Sequence, residues 1–232
     1  MARKALKSRE KSLLRLIAML AALPAAASIV WIGLYGIINP STTYIMRAQA
    51  RAGLEIKQEW RALDEISPHL IAAVIAAEDQ KFCSHFGFDI DAMRKAADDA
   101  LANGIRRGGS TITQQTAKNV FLWPGRNVVR KGLEAWFALL MEAMWPKERI
   151  LELYLNVAEW GPGVFGAEAA ARHYYGRPAS RLTPTQAARL AAVLPSPKKW
   201  SANPPDPHVI QRAARIARHV RRSGAYLARC VD

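Results

Sequence analysis

The sequence holds two cysteines, Cys83 and Cys230, among 232 residues. That scarcity excludes the disulfide framework that staples small secreted domains. Whether the two thiols pair stays open, and unpaired, half-buried thiols are the default expectation. Histidine is sparse too, and around His85 no second ligand falls at zinc spacing. His85 therefore reads as a hydrogen-bonded structural residue, not a metal ligand. Sustained polar–apolar alternation is missing, so the class is mainly α. No internal repeat is visible. Acids are in deficit: 19 Asp and Glu face 33 Lys and Arg, a formal net charge of +14. A surface this basic suits nucleic acid, anionic lipid or a phosphorylated substrate.

Long apolar runs are also rare, but one stands out. From Leu16 to Ile38 there are 23 residues without a charge, and a bilayer core needs about 20 in a helix. Arg3, Lys4, Lys7, Arg9, Lys11 and Arg15 precede it against a single acid, Glu10. The positive-inside rule keeps residues 1–15 in the cytoplasm and sends the chain after Asn39 across the membrane. A cleaved signal peptide ending at Ala25-Ala26-Ala27 is the rival reading. Apolar sequence continues through Ile29, Val30, Trp31, Ile32, Leu34 and Tyr35, which favours a retained anchor. The expected organisation is a cytoplasmic N-terminus (1–15), a transmembrane anchor (16–38), a juxtamembrane segment (39–65) and one domain (66–232). With that domain outside the cytoplasm, nucleic acid drops out as a partner. Anionic lipid and a phosphorylated substrate remain.

Pro/Gly punctuation divides the rest into short helices. Ser67-Pro68 opens one through Ile71, Val74 and Ile75. Asp89 caps a second that ends near Asn103-Gly104, and Ser110 caps a third that stops at Trp123-Pro124-Gly125. A fourth runs from about Asn127 to Trp145, and a fifth from Pro146-Lys147 to before Gly161. Helices follow at about 164–175 and 184–194, the latter capped by Thr183. Five prolines make 195–207 an irregular loop, and an Arg-rich amphipathic helix spans about 208–228.

Three segments carry the chemistry: E-D-Q-K-F-C-S-H-F-G at 78–87, G-G-S-T-I-T-Q-Q at 108–115 and R-K-G-L-E at 130–134. Glu78 closes an Ala/Ile-rich helix, where desolvation raises a carboxyl pKa and suits it to accept a proton. Taken alone, such a Glu is more often a surface helix end. Asp79 reads as a residue that orients its neighbours or caps the turn. Arg106, Arg107, Lys118, Arg126, Arg130 and Lys131 fall within 26 residues. Arg130, Lys131 and Glu134 share a helical face. A solvated face with an exposed Arg130–Glu134 pair, contributing well under ~1 kcal/mol, explains one helix but not the three adjoining segments. A leaving diphosphate develops negative charge that fixed cations stabilise.

These segments resemble the monofunctional biosynthetic peptidoglycan transglycosylases, whose domain recurs as the glycosyltransferase half of bifunctional penicillin-binding proteins. The likeness continues through K-E-R-I-L-E-L-Y-L-N at 147–156 and A-E-W-G-P-G-V-F-G-A-E-A-A-A at 158–171, and covers roughly residues 54–205. It implies a lysozyme-like fold with a smaller lobe against the membrane. It further implies polymerisation of lipid II, the undecaprenyl-diphosphate-linked disaccharide-pentapeptide, into β-1,4 glycan strands with inversion at the anomeric carbon. By resemblance, Glu78 is the general base for the acceptor 4-hydroxyl, and Glu134 is the second acid, organising cations or a divalent metal. Lys118, Arg126, Arg130 and Lys131 bind the diphosphate, with Ser110, Thr113, Gln114, Gln115 and Asn119 lining the donor site. No cofactor is required, and a divalent metal, Mg or Mn, is admitted near the diphosphate. Partners implied are lipid II, the growing strand, membrane lipids and other cell-wall synthesis proteins, with the enzyme in the cytoplasmic (inner) membrane. Tyr154 and Asn156 fix the cleft wall, and Gln186 departs from the Glu that relatives often carry. No transpeptidase sequence is recognisable. Two rivals are a lysozyme-like lytic glycosidase, which has little use for so many cations, and a non-catalytic basic scaffold of wall assembly, against which both intact acids argue.

Overall fold

The computed structural model describes residues 15, 19, 22–103, 109–125 and 127–231. It falls into two units, Met1–Asn39 and Pro40–Asp232. In the first, helix α1 covers residues 22–35. Among the described residues no helix is long and apolar enough to cross a membrane. Positions 1–14, 16–18, 20 and 21, which include the start of the apolar run and most of the basic stretch before it, lie outside the described residues.

The second unit begins with α2 (Tyr44–Arg51), capped by Thr43, and a two-residue strand β1 (Lys57–Gln58). Ser67 Oγ accepts from His69 N at 3.3 Å and starts α3 (Pro68–Glu78), with Pro68 at the first helical position. Asp89 Oδ1 accepts from Ala92 N at 3.0 Å, at the head of α4 (Ile90–Asn103). Helix α5 (Ile112–Phe121) is capped by Thr111, not by Ser110 as expected. Thr111 Oγ1 accepts from Gln114 N at 3.2 Å while Gln114 Oε1 accepts from Thr111 N at 3.0 Å. This reciprocal pair satisfies two orphan donors, and a good cap is worth about 1 kcal/mol. Asn127 caps α6 (Val128–Met144), and α7 (Lys147–Val157) follows Pro146. Strands β2 (Glu159–Gly161) and β3 (Val164–Phe165) lead into α8 (Ala167–Tyr175). Thr183 and Gln186 form the same reciprocal cap on α9 (Pro184–Val193), so the amide at 186 completes the cap without a carboxylate. The last helix, α10 (Pro207–Ser223), stops short of 228 in a 3-10 turn at Gly224–Leu227.

Helix α3 packs on α9 and α10, and α5 packs on α6 and α7. Leu70, Val74 and Ile75 of α3, Ile112, Met141, Ile150, Leu151 and Leu190 are fully buried between them. Each such side chain contributes roughly 1.5–3 kcal/mol by leaving water. The small sheet has the order β1-β3-β2, with Lys57 opposite Val164 in a parallel pair and β2 antiparallel to β3. Two glycines make it feasible. Gly163 has φ +74°, and a Cβ there would sit 2.2 Å from Glu55 O. Gly166 has φ +84°, and its Cβ would sit 2.8 Å from Asn156 O. Both needs explain the G-P-G-V-F-G run.

Cys83 and Cys230 form a disulfide, Cα–Cα 5.4 Å, which corrects the expectation of unpaired thiols. Cys83 lies in the loop after α3 and Cys230 in the turn after α10. The packing of α10 and its 3-10 turn on α3 brings them together.

Candidate active site

The apolar sequence of α3 carries its last residue, Glu78, into the interior, leaving its side chain 12% exposed. Burial pushes this carboxyl above the usual carboxylate range, while the Gln115 hydrogen bond, Arg212 and Lys118 pull it back. Gln115 Nε2 donates to Glu78 Oε2 at 2.9 Å, and Arg212 Nη2 donates to Oε1 at 3.4 Å. Tyr154 Oη donates to Gln115 Oε1 at 3.4 Å, which fixes the end of the amide that faces Glu78. Burial holds the Tyr154 phenol well above its ordinary pKa, so it remains a donor.

Asp79 works differently from its neighbour. Its Oδ2 accepts from Ile112 N at 2.9 Å and its Oδ1 pairs with His85 Nε2 at 2.8 Å. It ties the loop after α3 to the first turn of α5, and His85 is held inside that tie. Asn156 is fully buried and pins the segment before α3, accepting from Arg61 N and donating to Arg61 O, both at 2.8 Å. From one turn of α7, Tyr154 thus lines a cavity while Asn156 holds the segment before α3.

Helices α5 and α6 bring the cations together. Lys118 is largely desolvated, which lowers its pKa, with Glu134 and Glu78 opposing that effect. It has no hydrogen-bond acceptor among the described residues. Arg130 and Glu134 are both buried, 9% and 3% exposed at the side chain, and 3.5 Å apart. This is no solvated surface pair. Lys131 pairs with Glu134 and donates to Ser110 Oγ at 3.3 Å. Arg130 Nε is buried without a partner, and such a donor costs free energy until an acceptor arrives. Glu134 therefore organises a cluster of three cations with spare donors.

Glu78 lines one cavity and its hydrogen-bond partner Gln115 lines another. One of about 240 Å³ is lined by Glu78, Lys81, Asp89 and Ser110; the other, about 210 Å³, by Gln115, Lys118, Asn119, Tyr154 and Glu159.

The expected residues divide accordingly. Ser110, Gln115, Lys118 and Asn119 line the cavities, and Arg130, Lys131 and Glu134 form the charged cluster beside them. Thr113 and Gln114 are inside the scaffold instead. Thr113 is fully buried and donates to Glu142 Oε1 at 2.6 Å, and Gln114 is consumed by the α5 cap. Arg106, Arg107 and Arg126 lie outside the described residues. Arg212 escaped the sequence reading because it looked like one of many charges on an amphipathic helix. Its signal was position: one residue before Ala213 and four before Ile216, which are both buried.

A model of the transglycosylase family matches residues 46–221. A biosynthetic peptidoglycan transglycosylase of Xanthomonas campestris pv. campestris is 53% identical over 207 residues, covering 86% of this chain and 84% of the relative. One of Caulobacter vibrioides is 51% identical over 222 residues, 94% of each chain. One of Pseudomonas aeruginosa is 50% identical over 213 residues, 88% of this chain and 91% of the relative.

Proposed function

The chain belongs to the transglycosylase family, a glycosyltransferase of peptidoglycan synthesis, and on that premise we propose that it polymerises lipid II with release of undecaprenyl diphosphate. The observation that carries this reading is Glu78, a buried carboxylate that lines a cavity, with its pKa pushed up and Lys118 of the α5–α6 cation cluster close enough to lower it. Glu78 takes the proton from the acceptor sugar's 4-hydroxyl as that oxygen attacks the anomeric carbon. The anomeric C–O bond breaks with its electron pair going to the diphosphate. Lys118, Arg130 and Lys131 meet the growing negative charge, and the proton on Glu78 passes to water afterwards. Attack from the side opposite the leaving group inverts the centre, so base and cations act as separate sites.

Among the described residues no group of three or more His, Cys, Asp or Glu is placed to hold a metal ion. Both Glu134 oxygens already face cations. The residues do not fit a preformed metal site, and no step is routed through one.

We also propose that residues 16–38 anchor the enzyme in the cytoplasmic membrane with residues 1–15 inside and the catalytic domain outside. The uncharged run and the basic residues before it support this.

The test is polymerisation of purified lipid II by the wild type and by Glu78→Gln. Loss of a general base costs about 10²–10⁴-fold, so the variant should fall at least that far while still binding lipid II. Near-normal turnover by the variant defeats the assignment of the base. Cleavage of preformed strands would support the lytic reading, and an inert wild type the scaffold reading.

A further inference from the structure

The 210 Å³ cavity contains a carboxylate the proposed chemistry does not use. Glu159 begins β2, with its side chain 14% exposed. Gln49 of α2, itself buried, donates from Nε2 to Glu159 Oε1 at 2.8 Å. The Gln49 carbonyl is in turn fixed by Gly163 N at 3.0 Å, so the amide has one orientation. Exposed Lys198 makes only a wide ion pair, 4.0 Å, with that same Oε1, and it only partly offsets the burial that raises the acid. Glu159 Oε2 has no partner among the described residues, and Glu159 lines the cavity. A half-buried acid held on one oxygen and free on the other is a preorganised acceptor.

What it accepts follows from its surroundings. Lys118, the unpartnered cation, lines the same cavity, so the group bound there adjoins the diphosphate. Asn119 adds an uncommitted carboxamide, and Ile45, Val157, Phe165 and Leu194 supply apolar wall. One acceptor, one amide and an apolar wall match the three faces of a secondary acetamide: N–H, carbonyl and methyl. We propose that Glu159, positioned by Gln49, is a specificity-determining residue that accepts the acetamido N–H of the sugar carrying the diphosphate. This rests on the proposed donor, a lipid-linked N-acetylated sugar diphosphate.

The experiment compares two lipid-linked donors that differ at one atom. One carries the 2-acetamido group; the other carries a 2-acetoxy group, with an ester oxygen in place of N–H and the same carbonyl and methyl. The wild type should prefer the acetamide in kcat/KM by ~10-fold or more, the range for a hydrogen bond to a charged acceptor. Glu159→Leu should raise KM for the acetamide and bring the ratio near one. Glu159→Gln keeps the shape and the Gln49 contact, and should lower the ratio at least ~3-fold by removing the charge. A merely structural Glu159 would slow both donors equally and leave the ratio intact. A wild-type ratio near one, which needs no variant to fold, overturns the inference while leaving lipid II polymerisation standing. A wild type that polymerises neither donor overturns the proposed reaction itself.

Discussion

Arg212 and Glu78 are 134 residues apart in sequence and meet at the candidate base, Arg212 Nη2 lying 3.4 Å from Glu78 Oε1. The same nitrogen donates to Ala77 O at 3.3 Å, so one guanidinium closes the last turn of α3 and faces the carboxylate. Arg212 lowers the pKa of Glu78 against the pull of burial. Arg212→Ala should cut turnover by ~10-fold or more and move the acid limb of the rate profile to higher pH. Arg212→Lys should restore the limb in part. An unmoved limb in the alanine variant would reduce Arg212 to packing.

Activity should be bell-shaped in pH. Burial raises Glu78, so the base is lost, as pH falls, above the usual carboxylate range. Burial lowers Lys118, so its charge is lost, as pH rises, below the usual lysine range. Lys118→Arg should remove the alkaline limb, because arginine stays charged. Stability carries the opposite sign from activity. A carboxyl raised in the folded state contributes stability below its unfolded pKa, and that contribution disappears as pH rises through the folded value. Glu78→Gln should therefore gain thermal stability over wild type at neutral pH and lose that advantage in acid. Melting curves at both pH values check this.

Arg130→Lys should impair turnover of diphosphate donors by ~10-fold or more, although the charge is kept. Its Nε–H is buried without an acceptor, and lysine cannot reproduce the planar fork. Initial rates across a donor series measure it. Unchanged rates at low and high salt would leave Arg130 a structural partner of Glu134 with no part in holding the diphosphate.

Much of the site was legible because its parts are local. Arg130, Lys131 and Glu134 were marked by helical spacing, whereas Glu78, on its own a surface helix end, was picked out by the resemblance of its motif. Thr183 with Pro184 announced its helix through capping chemistry. What was not legible depends on partners distant in the chain. Thr113 resembled a cleft residue until Glu142 claimed its hydroxyl, and Ser110 resembled a cap until Thr111 proved to have the reciprocal partner. The three-stranded sheet rests on two- and three-residue strands paired across the chain, too short to show alternation. Arg212 required knowing which face of α10 meets α3.

Reducing the disulfide, or changing Cys230 to Ser, should destabilise the domain by about 2–5 kcal/mol, since the bond spans 147 residues. The melting temperature should drop by roughly 5–15 °C. Scanning calorimetry with and without reductant decides it, and identical curves would make the bond energetically silent.

Deleting residues 1–38 should leave a folded domain active in detergent but poor on lipid II in vesicles. A tethered enzyme meets its substrate in two dimensions at high effective concentration, and the basic surface alone retains only partial attraction to anionic headgroups. A reporter fused after Asp232 should read as external. A cytoplasmic signal contradicts the proposed topology, and full vesicle activity by the truncated chain contradicts the proposed tethering.

The Cys83–Cys230 bond also turns the domain into a covalent ring. Ser110, Lys118, Arg130, Glu134 and Arg212 all lie on its circumference. A single peptide-bond cut anywhere between Ser84 and Arg229 opens the ring without releasing a fragment. A nicked molecule keeps its pieces covalently joined through Cys83 and Cys230. Such a molecule would run as one band on a gel until a thiol is added, and then as two.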